Sequence, residues 1–282
     1  MMKRPCPSRG FTLLEIILVI AITGIIGAVV AVFLKAPVDQ YIDIGLRAGL
    51  TDTADTALRR IGRDIRHSLP NSVRVTGGCT GSDACTLEFI PTIGGGRYRV
   101  GRTPAGVGDP LEFDAVDTNF DVLGHMPTMA TNDHVVVYSL GITGANPYAF
   151  VGDTEGTHVR RRIAAVDAVN QTVTIESTEA MPFDSPGHRF HVVQTPARYV
   201  CDPAAGTLTR QSGYGWPEAT TAPTTSALLA RGVSRCLFRY DGALTVTQRT
   251  GLVTMSLSLT ETSRGSSETV ALHHQVHVSN MP

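Results

Sequence analysis

From Phe11 to Leu34 the chain is almost wholly apolar, broken only by small residues, two threonines and one carboxylate, Glu15. Wound as a helix, this run reaches about 36 Å, enough to cross a hydrocarbon core of roughly 30 Å. The ten residues before Phe11 carry Lys3, Arg4 and Arg9 and no acid. That charge bias predicts a cytoplasmic N-terminus, with everything after Leu34 across the membrane. A secretory signal peptide fits poorly, because its apolar region is usually shorter and ends at a small-residue cleavage site. Cys6 lies ahead of the apolar run, so it is not placed as a lipoprotein cysteine would be.

Glu15 is the informative exception. A carboxylate inside an apolar span costs about 3 kcal/mol on insertion scales and calls for a partner or a function. It closes the run Gly10-Phe11-Thr12-Leu13-Leu14-Glu15. Here the chain resembles the type IV pilin and pseudopilin family, whose class III signal joins a basic leader, a Gly-Phe junction, a short apolar stretch and a glutamate. The resemblance implies that a prepilin peptidase cuts after Gly10 and N-methylates the new amine of Phe11. It also implies that Glu15 pairs with the N-terminal amine of a neighbouring subunit, so that two costly charges neutralise each other. The implied partners are that peptidase, membrane lipid before assembly, other major and minor pilins, and an inner-membrane assembly platform. The implied location is the inner membrane and then the pilus.

After Pro37 an amphipathic helix is expected to run to Leu69. Tyr41, Ile42, Leu46, Leu50, Ala54, Ala57, Leu58, Ile61, Ile65 and Leu69 recur at three- and four-residue steps. Arg47, Asp52, Arg59, Arg60, Arg63 and Arg66 take the other face, and Asp55 is set to pair with Arg59. Leu69-Pro70-Asn71 ends it, since a residue before proline avoids helix. From Ser72 onward the pattern is strand-like. Expected strands are Leu87–Ile90, His134–Leu140, Val159–Val166, Val173–Ser177, Arg189–Thr195, Tyr199–Cys201 and Leu208–Arg210, with a hairpin connection over Val166–Thr172. The clearest hairpin is the last: Val253, Met255, Leu257 and Leu259 alternate with polar residues, a turn covers Ser263–Ser267, and Val270, Leu272, Val276 and Val278 alternate back. Gly94-Gly95-Gly96 and Pro217–Thr225 read as loops.

The expected fold is therefore α+β, a long N-terminal helix packed on an antiparallel, β-rich periplasmic head. The expected divisions are a cleaved leader (1–10), a transmembrane and assembly helix (11–34), an amphipathic helix (35–70) and the head (71–282). Four cysteines fall in the head: Cys79, Cys85, Cys201 and Cys236. An even count in an oxidising compartment reads as disulfides. Of three pairings, proximity favours Cys79–Cys85 with Cys201–Cys236, worth about 2 and about 4 kcal/mol by chain entropy. Neither pair has the close spacing of a zinc ribbon.

Little in the head points to catalysis. No nucleophile elbow, P-loop or His-Glu-x-x-His helix occurs, so the chain is not read as an enzyme. The formal net charge of −1 gives no electrostatic hold on nucleic acid. Asp117, Asn119 and Asp121 begin like a calcium loop, but Val122 and Thr128 stand where the turn glycine and bidentate glutamate belong, which favours a polar turn. His273 and His277 share a solvent face of the last strand while His274 lies in register with the core; the first two lack a third metal ligand, as do His188 and His191. Tyr214 and Trp216 offer an aromatic patch or, more simply, pack beneath their own loop. The leading class is a structural and assembly protein, a minor pilin. Four strings, beginning at Val30, Ala54, Leu69 and His273, resemble minor pilins of mannose-sensitive haemagglutinin (MSHA) pilus systems. The alternatives are a minor pseudopilin of type II secretion, or a membrane-tethered periplasmic adhesin or enzyme.

Overall fold

A computed structural model describes residues 10–149, 159–216, 221–241, 250–263 and 266–282. The leader through Arg9, including Cys6, lies outside the described residues, as do 217–220 of the expected loop and the Arg264-Gly265 tip of the last hairpin. Among the described residues there is one α-helix, α1, which runs Leu13–Arg66 with Pro37 inside it. Proline has no N–H to give the carbonyl four residues back, so the helix continues with one bond missing there. The chain divides into two compact units, one ending at Gly49 and one spanning Leu50–Pro282. In the first, Leu13–Leu34 has a mean hydropathy of 3.0 and none of its residues is buried.

In the second unit the end of α1 turns the expected stripe into a core. Leu50, Ala54, Ala57, Leu58, Ile61 and Ile65 are buried, while Arg59, Arg60, Arg63 and Arg66 remain exposed. Asp55 pairs with Arg59 at 2.7 Å. The helix stops three residues short of Leu69. There the Leu69 N–H leaves the helical ladder to donate to the Ile90 carbonyl at 2.8 Å, and Pro70 follows.

Fourteen strands follow: β1 Arg74–Gly77, β2 Cys85–Phe89, β3 Thr92–Tyr98, β4 Asn119–Leu123, β5 His134–Val137, β6 Arg160–Asp167, β7 Thr172–Ile175, β8 Arg189–Val193, β9 Ala197–Asp202, β10 Thr207–Ser212, β11 Thr225–Arg231, β12 Val233–Asp241, β13 Thr250–Ser263 and β14 Ser266–Ser279. They build a five-stranded sheet, β1-β2-β9-β10-β11, a three-stranded sheet, β12-β13-β14, and a closed barrel, β3-β4-β7-β6-β5-β8. Every strand pairing is antiparallel. One core joins the helical stripe to both sheets, through Leu87, Phe89, Tyr199 and Leu208 on one and Phe238, Val253, Met255, Leu257 and Val276 on the other. The helix lies close to β14, for a Cβ on Gly62 would stand 3.0 Å from Val276 Cγ2. From Leu50 onward the long helix thus packs against an antiparallel β-rich domain.

The barrel is an insertion. The chain leaves the five-stranded sheet after β2 and returns at β9, its neighbour in register, with Phe89 opposite Ala197. At the same point Thr92 and Val193 begin the barrel as partners. The barrel has its own core around Tyr98, Phe120, Ile163, Val173 and Phe190. A third cluster, including Leu69, Ile90, Val136, Tyr148, Val193 and Trp216, joins it to the sheet. Hydrogen bonds from Ser139 Oγ to the Pro70 carbonyl (2.8 Å) and from Tyr148 OH to the Ser72 carbonyl (2.9 Å) complete the joint.

Several local expectations change here. Gly94-Gly95-Gly96 is not a loop but the middle of β3. A Cβ on Gly96 would come within 2.8 Å of the Phe190 ring, so the barrel wall closes over that ring only where side chains are missing. Asn119–Leu123 is strand β4 rather than a turn. Tyr214 and Trp216 are only 8% and 7% exposed, which excludes the aromatic patch and agrees with the simpler expectation that they pack inward. In the last hairpin Val270, Val276 and Val278 are buried, His274 is half-buried, and His273 and His277 face solvent.

Candidate functional site

The segment that the sequence singles out is the start of α1. Helix starts leave their first N–H groups without partners. Thr12 answers this: its Oγ1 accepts from the Glu15 N–H at 3.3 Å, and its carbonyl accepts from Glu15 and Ile16 at 3.1 and 3.3 Å. Gly10 and Phe11 therefore stand outside the helix, in front of its cap. A Cβ built on Gly10 meets nothing within 4 Å, and Phe11 is 76% exposed. Among the described residues, nothing covers the Gly10–Phe11 peptide bond.

Glu15 lies in the first turn, where the positive end of the helix dipole favours an acid. Among the described residues no cation pairs with it. Around it Leu13, Leu14, Ile16, Ile17, Leu18 and Val19 are all exposed. The site is therefore an accessible backbone bond, a carboxylate one turn behind it, and an apolar surface on every side. Such a surface needs lipid or other apolar helices around it, and the carboxylate needs a proton or a cation.

The structure joins Cys79 to Cys85 and Cys201 to Cys236, with Cα separations of 4.7 and 6.5 Å. Among the described residues no group of three His, Cys, Asp or Glu side chains is placed to hold a metal. The oxygens of Asp117 and Asp121 are already engaged. Asp117 accepts from the Glu112 and Asn119 N–H groups, and Asp121 accepts from Arg99, the Asp109 N–H and Thr172. Asn119 Oδ1 accepts from Thr174 at 2.8 Å. Burial works against the Asp121 charge, but these donors outweigh it and hold its carboxyl below the usual range. His191 is held below its ordinary value by burial and then by Arg189. His188 stands edge-on to Tyr98, 5.9 Å between centroids, and 3.6 Å from Asp184.

Two polar networks have no clear signal in the sequence. Asp64, on the helix, accepts from Tyr199 OH at 2.7 Å and from Arg210 Nε at 2.8 Å, tying α1 to β9 and β10. Its only sequence signal is an acid inside an arginine-rich face. Glu88, buried on β2, accepts from Tyr214 OH at 2.6 Å and from Arg74. The Arg74 guanidinium in turn lies 3.8 Å from the Tyr148 ring centroid, and Arg160 lies 3.6 Å from that of Trp216. These aromatics serve the joint between barrel and sheet.

No curated protein and no solved structure matches this chain. The match that is found coincides with the mouth of α1: residues 7–31 fit the prokaryotic N-terminal methylation motif, a prepilin-like signal.

Proposed function

We propose that the chain is a minor type IV pilin of the MSHA kind, comparable to the minor pilin MshO. In this reading a prepilin peptidase removes the leader after Gly10 and N-methylates Phe11. The mature subunit then enters a pilus at low copy, to initiate or cap it, with its head having faced the periplasm beforehand. One observation carries the proposal. An exposed Gly10–Phe11 bond precedes a capped helix whose apolar run, Leu13–Leu34, is wholly unburied and holds one carboxylate a turn from its start. The methylation motif over residues 7–31 supports the same reading. The inserted barrel agrees with a low-copy role, because so large a head would crowd a regular helical shaft.

The test is co-expression of the full chain with a prepilin peptidase, read by intact mass and N-terminal sequence. The wild type is expected to yield a chain beginning at N-methylated Phe11. Gly10→Leu is expected to abolish it, since the added bulk obstructs the backbone approach that glycine permits. A Gly10→Leu chain that still matures at Phe11 would sink the proposal.

A further inference from the structure

The two disulfides lie side by side. Cys85 on β2 and Cys201 on β9 are direct cross-strand partners, and both are completely buried on the same face. Directly opposed residues of an antiparallel pair have Cα atoms about 4.5–5.5 Å apart. That lies inside the range of roughly 4.4–6.8 Å that a disulfide spans. Cys236 in turn lies beside the loop that Cys79 and Cys85 close. Cys236 donates its N–H to the Gly81 carbonyl at 3.0 Å, which docks the Cys79–Cys85 loop against β12. All four sulfurs thus belong to one cluster spanning three strands and a loop.

Their exposure differs. Cys79 sits in a surface loop, half-exposed, with a left-handed φ of 41°. Cys201 and Cys236 are 0% and 2% exposed. A groove of about 310 Å³, lined by Thr80, Gly81, Arg235 and Ser256 among others, reaches Cys236 from outside.

We propose that Cys79–Cys85 is an entry point for an external dithiol, and that Cys85 relays the exchange to Cys201. In the first step the dithiol reduces Cys79–Cys85, leaving two thiols and becoming a disulfide itself. In the second, the Cys85 thiolate attacks Cys201 Sγ. The Cys85–Cys201 bond forms, the Cys201–Cys236 bond breaks, and the proton lost from Cys85 ends on Cys236. No further electrons are needed. The covalent link that joined the five-stranded sheet to the three-stranded sheet is then spent between two strands that already pair. A reaction at a surface loop thereby releases a cross-link in the core.

The experiment uses the full chain in detergent, carrying Cys6→Ser so that every reporting thiol lies in the head. It is treated with limiting dithiothreitol at pH 8, alkylated and peptide-mapped. The first two-thiol species is expected to be labelled at Cys79 and Cys236, with a Cys85–Cys201 cross-linked peptide. Labels at Cys79 and Cys85 would overturn the relay, and labels at Cys201 and Cys236 would overturn the entry point. In a second variant, Cys79→Ser, one thiol remains without any reductant. Its label is expected to move from Cys85 to Cys236. A label confined to Cys85, or one found on Cys201, refutes attack on the cross-strand neighbour.

Discussion

Replacing Asp64 by alanine tests what holds α1 to the head. The carboxylate receives two donors, Tyr199 OH at 2.7 Å and Arg210 Nε at 2.8 Å, and the Arg210 and Asp64 side chains are 23% and 25% exposed. Burial works against the Arg210 charge, yet the Asp64 hydrogen bond and charge outweigh it and raise its pKa. A fully exposed ion pair is worth about 0–1 kcal/mol, whereas breaking a fully buried one costs about 3–5 kcal/mol. This pair lies between those limits. Asp64→Ala also strands the Tyr199 hydroxyl, whose residue is fully buried, at a cost of about 1–3 kcal/mol. The expected loss is about 3 kcal/mol, which lowers a urea midpoint by about 1 M if the slope is about 3 kcal/mol per M. Trp216 is the one tryptophan of the chain and is buried at the barrel joint, so its fluorescence reports the transition. Asp64→Asn keeps an acceptor for Tyr199 and is expected to lose about half as much. A double-mutant cycle with Arg210→Ala is expected to give a coupling of about 1–2 kcal/mol. A loss below about 0.5 kcal/mol, or a coupling that vanishes in 1 M salt as a screened surface pair would, refutes the reasoning.

Three other perturbations have definite expected outcomes. His134 is pushed down to about 4 from an ordinary 6.5, by burial first and then by the Arg160 and Arg162 charges. The folded state therefore disfavours its proton. Stability is complete above about pH 6.5 and falls as pH drops toward 4, by about 3 kcal/mol at most, and His134→Gln should flatten that slope in urea titrations across this window. Replacing Cys201 and Cys236 together by serine opens a link across 35 residues and is expected to cost about 4 kcal/mol by chain entropy; an unchanged melting transition would contradict it. Glu15→Ala is expected to leave cleavage after Gly10 largely intact while impairing filament assembly or N-methylation. Wild-type levels of both, by mass spectrometry and pilus counting, would mark the carboxylate as incidental.

Legibility in the sequence followed the range of the forces involved. The helical stripe from Leu50 to Ile65 and the alternation through Val253–Leu259 are each written in a few turns or a few residues, because one face of each element is buried. The Gly10–Glu15 run is likewise local, and the structure adds only the Thr12 cap. The barrel is different. Its closure depends on Thr92 meeting Val193 and His134 meeting Arg162, pairings between distant segments that no local period encodes. Its β3 strand is further hidden by three glycines, poor strand formers: a Cβ on Gly96 would run into the Phe190 ring, one on Gly95 would crowd the Phe190 carbonyl, and one on Gly94 would crowd Pro127. That Tyr214 and Trp216 pack inward is the simpler reading of the sequence, but only the tertiary fold supplies the Glu88 and Arg160 against which they lie.

The adjacent entry and exit of the barrel also favour one order of events during folding. Pairing Phe89 with Ala197 requires closing a loop of roughly a hundred residues, an entropic cost that grows with the logarithm of loop length. A barrel that has already condensed on its own core delivers those two residues side by side, with Thr92 and Val193 as the clasp. The five-stranded sheet then closes as though joined by a short turn. If the inserted module is the nucleus on which the sheet is completed, core substitutions such as Phe190→Ala should slow refolding, measured by stopped-flow, of a sheet they do not touch.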